Sequence, residues 1–248
     1  MRCSLLILIG PFLILNSCIK SFSPIRYNFS SQQVEPVPIE DSSIYTMTLN
    51  YKGKLDSTMQ ESIGFAIHTL TKKNTESTLG NWVCDALIFF SNDSLKIQPD
   101  FAIVNYGGIR INQIDSGIIK LGQLYELMPF DNNLVMVYMD SSGISKLVSK
   151  MAYFRGWPQS ASINYKLIKD SLSSFILINN SPLNSKKIYR VLMSDYIYNG
   201  GDNMDFLLKY QVDLIPVMLR DALIYSCKKL SKLHGGIQSK LDHRILKE

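Results

Sequence analysis

The chain has 248 residues and a formal net charge of +5 at pH 7. This length suffices for one domain of ordinary size with a full hydrophobic core. The 26 Lys and Arg residues are scattered along the chain rather than gathered in one segment, which argues against a protein that binds nucleic acid.

The N-terminus has the pattern of an export signal. A single positive charge at Arg2 precedes an apolar run from Leu5 to Leu15, which is too short to span a membrane and has the flanks of a signal peptide. The tetrapeptide LNSC, which ends at Cys18, resembles the lipobox of bacterial lipoproteins. The resemblance implies that residues 1–17 are removed and that Cys18 is acylated. The mature chain would then be exported and anchored by lipid to a bacterial membrane, on its periplasmic side or at the cell surface. A plain signal peptide and a buried apolar segment are the alternatives.

The composition after Cys18 predicts a tether followed by one domain. Residues 18–44 are polar and rich in serine and proline, as flexible linkers are. Residues 45–248 form the predicted domain, and its two cysteines, Cys84 and Cys227, lie in apolar patterns typical of helices. We therefore expect two buried free thiols, although an exported chain would also permit a disulfide.

Apolar periodicity predicts a mixed set of elements within this domain. Residues 57–70 fit a helix or a strand equally well. Trp82, Ala86 and Phe89 share one helical face, which predicts a helix over 78–91 with Thr78 as its N-cap. The further predicted elements are a strand at 101–105, a helix at 121–127, a strand at 133–140, a helix at 142–154, strands at 174–179 and 188–196, and a helix at 217–231. Helices and strands alternate without regular βαβ spacing, so we expect an α+β fold with helices packed on a mixed sheet.

Three predicted strands border turns rich in glycine or asparagine: NYGGIR at 105–110, PFDN at 129–132 and DYIYNGGDN at 195–203. Each turn carries a group able to contact a polar or flat ligand, but each is weak evidence alone because such turns are common. Together with GNWVCDA at 80–86, their order and spacing resemble the C-terminal domain of the 5′-nucleotidase family, over residues 75–210. The resemblance implies the α+β fold of that domain and a nucleotide or nucleoside as its ligand.

In that family two aromatic side chains clamp the base of the ligand, and the resemblance assigns these roles to Phe130 and Tyr196. Such a clamp is chemically sound because every base has a π-face, and stacking on an aromatic side chain contributes about 1–3 kcal/mol per base. The alternative is that both are core residues, as aromatic residues in strands usually are. The Pro and Gly turns beside these two residues favour exposure of their side chains at the surface.

The resemblance also implies a set of polar ligand contacts. Arg110 matches the arginine after the glycine pair, whose planar set of donors binds polar groups of the substrate. Gly107 and Gly108 would let the ligand approach the backbone closely. Asn132 and Asp202 match positions that hydrogen-bond to the base or the sugar, and a carboxylate can accept from ribose hydroxyls. Alternatively, both residues only stabilise their turns.

The chain departs from the family pattern at three places. Tyr106 stands where the turn usually has a third glycine, and Ala161 stands for the glycine of a Pro-x-Ser-Gly stretch. The basic pair expected upstream of GNWVCDA is reduced to Lys72 and Lys73. Lys73 is the better match in position and is the predicted ligand contact, through a point charge rather than a planar fork.

The resemblance does not extend to the catalytic centre. A 5′-nucleotidase cleaves phosphate with two metal ions in an N-terminal domain, held by an Asp-x-His pair, a Gly-Asn-His turn and further histidines. The histidines of this chain are His68, His234 and His243, and none lies in such a pattern. We therefore expect no metal site, no catalytic residue and no cofactor in this chain, and divalent metals only in a partner phosphatase.

Three functions fit these expectations. The first is a specificity subunit that acts with a separately encoded metallophosphatase in nucleotide catabolism. The second is a free-standing lipoprotein that binds nucleotides for scavenging. The third is a structural relic of the two-domain enzyme.

Overall fold

The computed structural model describes residue 31, residues 42–168 and residues 175–247. The predicted signal peptide, Cys18 and most of the predicted tether lie outside the described residues. The fold described below belongs to the unit Ser43–Glu248.

The described chain combines helices with short strands. The helices are α1 (Ser42–Met59), α2 (Thr78–Phe90), α3 (Leu121–Leu127), α4 (Ser141–Tyr153), α5 (Asp195–Tyr198) and α6 (Leu219–His234). The strands are β1 (Ser62–Ala66), β2 (Leu70–Thr71), β3 (Phe101–Ala102), β4 (Gln113–Ile114), β5 (Gly117–Lys120), β6 (Asn133–Met139), β7 (Ile163–Leu167), β8 (Ile176–Ile178), β9 (Ser181–Pro182), β10 (Tyr189–Ser194), β11 (Gln211–Met218) and β12 (Ile245–Lys247). The predicted α+β class, with helices on mixed sheets, is confirmed.

The main sheet has the strand order β11-β6-β10-β3. Strand β6 pairs antiparallel with β10 and β11, whereas β10 and β3 run parallel, so the sheet is mixed. A second four-stranded sheet, β12-β7-β8-β9, and the two-stranded pairs β1-β5 and β2-β4 complete the strand pairing of the described residues.

Strand β6 is buried on both faces because it lies between two apolar clusters. Successive side chains of a strand point to opposite faces. Leu134 and Met136 therefore enter the cluster that includes side chains of α2 and α6. Val135 and Val137 enter the cluster that includes side chains of α4 and β7. This double burial explains why β6 has an almost continuous apolar sequence, which made its position predictable.

Strand directions bring the three turns of the sequence motifs to one edge of the main sheet. Strands β3 and β10 are parallel, with Leu192 opposite Ala102, so both end at the same edge. Strand β6 is antiparallel to β10, with Leu134 opposite Ser194, so it begins at that edge. The turn after β3, the turn before β6 and the turn after β10 therefore meet, although they are far apart in sequence.

Several local predictions need correction. The N-cap of α2 is Ser77, whose hydroxyl oxygen accepts from the Gly80 amide at 3.1 Å, whereas Thr78 accepts from the Thr71 amide at 2.8 Å. Phe89 is only partly buried, because it lies at the edge of the apolar face that buries its neighbour Phe90.

The predicted strand and helix boundaries also differ in part. The strand predicted at 101–105 ends at Ala102, and residues 57–70 contain the end of α1, all of β1 and the first residue of β2. Strands β4, β5, β7, β9, β11 and β12 were not predicted. Strand β11 is largely exposed at the edge of its sheet, and its pairing is irregular between Ile215 and Met218. It therefore lacks the strict alternation that identifies a half-buried strand.

The two cysteines of the domain are buried and free, as predicted. Burial raises the pKa of both thiols, to about 12 for Cys227. Of the helices that the structure describes, none is long and apolar enough to cross a membrane.

Candidate functional site

The three turns enclose a cleft of about 380 Å³, which we call the main cleft. It contains all the site residues predicted from the sequence except Lys73, together with one residue that was not predicted to contact a ligand, Asn105. Its lining residues are Asn105, Gly107, Gly108, Arg110, Phe130, Asn132, Tyr196 and Asp202.

Phe130 and Tyr196 are surface residues of this cleft and not core residues. Their exposed fractions are 39% and 43%, respectively. Tyr196 faces outward because α5 buries the next residue, Ile197, whose amide donates to the Ser194 hydroxyl at 3.2 Å. The Tyr196 ring packs against Gly201, where a Cβ atom would collide with the ring and with the Tyr196 carbonyl oxygen. Glycine at this position is therefore required by both the ring and the backbone of Tyr196.

The Asp202 carboxylate is held from two sides. Its backbone is left-handed, with φ 53° and ψ 38°, a conformation that Asp and Asn tolerate better than most residues. The Asn105 amide nitrogen donates to Oδ2 at 2.7 Å, and the Tyr196 hydroxyl donates to Oδ1 at 3.3 Å. Burial and the adjacent Asp202 charge raise the pKa of Tyr196, which adds to the preference of its phenol for the protonated, hydrogen-bond-donating form.

Asn105 links two turns that are 97 residues apart in sequence. It is 7% exposed, so its amide is fixed by its surroundings rather than by solvent. The sequence did contain a signal for it, because Asn105 is the first residue of the NYGGIR motif. Its partner could not be identified from local patterns, since the contact depends on the parallel pairing of β3 and β10.

Two cations lie beside the glycine turn. Arg110 donates to the Gly107 carbonyl at 3.4 Å, and its guanidinium carbon lies 5.6 Å from the centre of the Phe130 ring. The Lys72 amino group donates to the Ile109 carbonyl at 2.6 Å and lies 4.0 Å from the centre of the Tyr106 ring. Burial and the Arg110 charge lower the pKa of Lys72. The arrangement favours an anionic group near these two cations.

Lys73 is exposed and is absent from the residues lining the main cleft. The side chain that reaches the glycine turn is that of its neighbour, Lys72, which packs on Tyr106. The replacement of the usual glycine by Tyr106 thus supplies a ring against which Lys72 rests. A role for Lys73 in ligand binding stays a prediction.

Arg220, in the first turn of α6, contacts the turn that carries Phe130. The Arg220 side chain is 9% exposed and forms an ion pair with Asp131 at 3.0 Å. It also donates to the Met128 carbonyl at 3.3 Å and lies 4.3 Å from the centre of the Tyr125 ring. These contacts tie both ends of the turn to the helix.

The GNWVCDA motif contributes to the fold and not to the lining of the main cleft. Asn81 donates to the Lys240 carbonyl at 2.9 Å, and Asp85 accepts two bonds from Arg244, at 2.9 and 2.6 Å. Arg244 is 3% exposed and also pairs with Asp242 at 2.7 Å. Burial lowers the pKa of Arg244, but its bonds to the two carboxylates outweigh burial and raise it overall. The motif thus fixes the C-terminal segment against α2.

No group of three or more His, Cys, Asp and Glu side chains within the described ranges is arranged to hold a metal ion. The polar groups of the main cleft are instead amides, a carboxylate, a phenol and a guanidinium. These groups can bind a flat, polar, partly anionic molecule.

Comparisons with known proteins relate the chain to one family. The family model described as "5′-nucleotidase, C-terminal domain" matches residues 53–209. A cell wall protein of Listeria monocytogenes is 24% identical over 211 residues, which cover 74% of this chain and 26% of that protein. A trifunctional nucleotide phosphoesterase of Bacillus subtilis is 26% identical over 219 residues, which cover 79% of this chain and 14% of that protein.

The fold is shared with solved structures. The structure of a 5′-nucleotidase precursor from Thermus thermophilus superposes with a TM-score of 0.70 at 22% sequence identity, over 82% of this chain and 42% of that protein. The chain thus spans less than half the length of each of these three proteins.

Proposed function

The chain belongs to the family of 5′-nucleotidase C-terminal domains, and from this premise we propose that it binds nucleotides or nucleosides in the main cleft. We further propose that it confers substrate specificity on a metallophosphatase carried by another chain, in nucleotide catabolism.

The observation that carries the proposal is the combination of groups in one cleft. Phe130 and Tyr196 offer two half-exposed aromatic faces, which suit a base. Asp202 is oriented by Asn105 and is an acceptor for ribose hydroxyls. Arg110 supplies directed donors for a phosphate or for another anionic group. A nucleotide carries all three complementary features.

The clamp can be tested by removing one ring at a time. Phe130→Ala and Tyr196→Ala should each weaken adenosine binding by about 1–3 kcal/mol, the free energy of stacking a base on an aromatic side chain. Isothermal titration measures the change, and Tyr51→Ala, which removes an exposed ring of α1, is the matched control. If neither cleft variant binds adenosine more weakly than the wild-type protein, the cleft does not clamp a base and the relic hypothesis is preferred.

Arg110 provides an independent test of the anion contact. Arg110→Ala should weaken the binding of adenosine monophosphate more than the binding of adenosine, because the change removes a charged donor and leaves the rings of Phe130 and Tyr196 in place. Equal losses for the two ligands would contradict a phosphate contact at Arg110.

Phosphate release is assigned to the partner chain in this proposal, because the hydrolysis that 5′-nucleotidases perform uses two metal ions. The purified chain supplied with divalent metal should therefore not release phosphate from nucleoside monophosphates. Turnover that copurifies with the chain after removal of contaminating phosphatases would refute this assignment.

A neighbouring open reading frame for an exported metallophosphatase would identify the partner to test. Mixing the two proteins should change the substrate preference of the phosphatase in a manner that depends on Phe130. If the chain binds nucleotides but leaves the phosphatase unchanged, the scavenging function is preferred.

The proposed location is a bacterial membrane, on its periplasmic side or at the cell surface, through a lipid on Cys18. One of the relatives is named a cell wall protein, which supports export, and the LNSC tetrapeptide supports acylation. Cys18→Ser should leave the protein soluble or unprocessed, as seen by fractionation of cells. Membrane association that survives a salt wash, in a variant from which residues 1–17 have been cleaved, would place the anchor elsewhere.

A further inference from the structure

A second, smaller cleft opens beside the main cleft, and we call it the side cleft. Its volume is about 240 Å³, and it shares Gly107 and Asp202 with the main cleft. Its other walls include Asn74, Thr75, Tyr106, Phe154, Arg155 and Trp157. Phe154 and Arg155 lie outside the sequence motifs described above, and none of the roles proposed above accounts for this cleft.

Gly107 lines both clefts, and we call the border that it forms between them the passage. Its φ lies outside the left-handed region, and a Cβ atom added to it would meet a single neighbour within 4 Å, the Asn105 amide nitrogen at 3.6 Å. The fold would therefore accept a side chain at this position. Because Gly107 lines both clefts, a side chain there would narrow the opening between them, and glycine keeps it open.

The side cleft offers a flat aromatic surface and a cation. The Phe154 ring is 37% exposed and stacks on the buried Trp157 ring, with centroids 5.8 Å apart and an interplanar angle of 25°. A ring supported in this way presents a fixed face to a second flat group. Arg155, the next residue, is exposed and lines the same cleft. Its guanidinium suits a phosphate.

The size of the side cleft indicates an extension of a ligand rather than a separate ligand. Pockets for whole small-molecule ligands usually have volumes of about 300 Å³ or more, and the side cleft is smaller than this. Together with the passage at Gly107, the volume suits one unit of a molecule whose other unit lies in the main cleft.

The position of Asp202 indicates which end of a nucleotide would extend into the side cleft. In a nucleotide whose 5′ oxygen carries phosphate, the 2′ and 3′ hydroxyls are the sugar donors that a carboxylate can accept from. Asp202 borders both clefts, so this edge of the ribose would face the passage. A substituent on one hydroxyl would enter the side cleft while the other hydroxyl still donates to Asp202.

We propose that the side cleft is a second subsite for nucleotides extended at a ribose hydroxyl, with a dinucleoside monophosphate as the simplest ligand. The second base stacks on Phe154, and the linking phosphate faces Arg155. The inference rests on the proposed binding of a nucleoside in the main cleft.

Isothermal titration of adenosine and of adenylyl-(3′→5′)-adenosine tests this subsite. The wild-type protein should bind the dinucleoside monophosphate more tightly than adenosine. Phe154→Ala should weaken the binding of the dinucleoside monophosphate by about fivefold or more, the contribution of one stacked base, and should leave the binding of adenosine unchanged. Phe65→Ala is the matched control, because Phe65 is a phenylalanine of similar exposure, 44%, that lines neither cleft.

Arg155→Asn provides a second variant that does not depend on the Phe154–Trp157 stack. Arg155 has a φ of 63°, which asparagine tolerates. The variant should bind the dinucleoside monophosphate more weakly than the wild-type protein does and should bind adenosine equally well. Lys96→Asn is its matched control, since it removes one positive charge from an exposed residue with a φ of 58°.

The outcomes separate the subsite from the main cleft. Selective loss of dinucleoside monophosphate binding in Phe154→Ala and Arg155→Asn supports the subsite. Equal binding of the two ligands by the wild-type protein, or equal losses for both ligands in the variants, overturns the subsite and leaves the main-cleft proposal intact. Binding of neither ligand by the wild-type protein overturns both proposals.

Discussion

Replacing Asn105 with aspartate would test whether this residue holds the Asp202 carboxylate in its ligand-binding position. The change is nearly isosteric but removes the amide that donates to Asp202 at 2.7 Å. A hydrogen bond to a charged group contributes about 1.5–3 kcal/mol. Two carboxylates about 4 Å apart repel each other by a further ~4 kcal/mol at an effective dielectric constant of about 20, and access of solvent to the cleft lowers this figure.

The repulsion makes the effect dependent on pH. A pair of adjacent carboxyl groups retains one proton at a pH above that at which an isolated aspartate loses it. With that proton the residue 105 carboxyl group can again donate to Asp202. The folded variant therefore binds this proton more tightly than the unfolded chain does. Its stability relative to the wild-type protein is highest at low pH and falls as the pH rises through the titration of the folded pair.

The assay is isothermal titration of adenosine at pH 5 and pH 8, with the wild-type protein as reference at each pH. Asn105→Asp should bind adenosine more weakly at pH 8, by about tenfold or more, and should recover much of the affinity at pH 5. Asn105→Ala cannot donate a hydrogen bond to Asp202 and should bind adenosine weakly at both pH values. If Asn105→Ala binds as the wild-type protein does, or if Asn105→Asp shows no recovery at pH 5, Asn105 does not position Asp202 for the ligand.

Three further predictions follow from contacts elsewhere in the fold. Arg220→Met should raise hydrogen exchange in the turn that carries Phe130 and should weaken adenosine binding. In a Phe130→Ala background the same change should cost little further affinity. Additive losses of affinity in the double variant would contradict the idea that Arg220 acts through Phe130. The thiols of Cys84 and Cys227, whose pKa values burial raises, should react with a thiol reagent at neutral pH only as fast as the fold opens, and rapid labelling of the native protein would contradict their burial. Arg244→Met should lower the free energy of unfolding in urea by about 2–4 kcal/mol. The change leaves the carboxylates of Asp85 and Asp242 without their cation, although solvent partly screens them. An unchanged midpoint of urea unfolding would show that these ion pairs do not stabilise the fold.

The sequence alone determined the local features of the domain. Strand β6 and helices α3 and α4 were predicted within one residue of their observed bounds. Their apolar spacing and their stop signals are short-range properties. The glycine and asparagine turns were identified for the same reason, since turn chemistry is encoded in a few adjacent residues. The family resemblance then assigned ligand roles to the turns, and the structure brings these residues together, with Lys73 as the exception.

Only the tertiary structure decided how the turns combine. The parallel pairing of β3 with β10 and the antiparallel pairing of β6 bring three distant turns to one edge of the sheet. The bond from Asn105 to Asp202 arises from that arrangement. The support of Phe130 by Arg220 and the side cleft at Phe154 depend in addition on the positions of α6 and of the segment that follows α4. Periodicity and turn chemistry describe neighbours along the chain, whereas these contacts depend on the order and direction of strands. That long-range pairing is set by the packing of the whole core on both faces of β6, which no local pattern encodes.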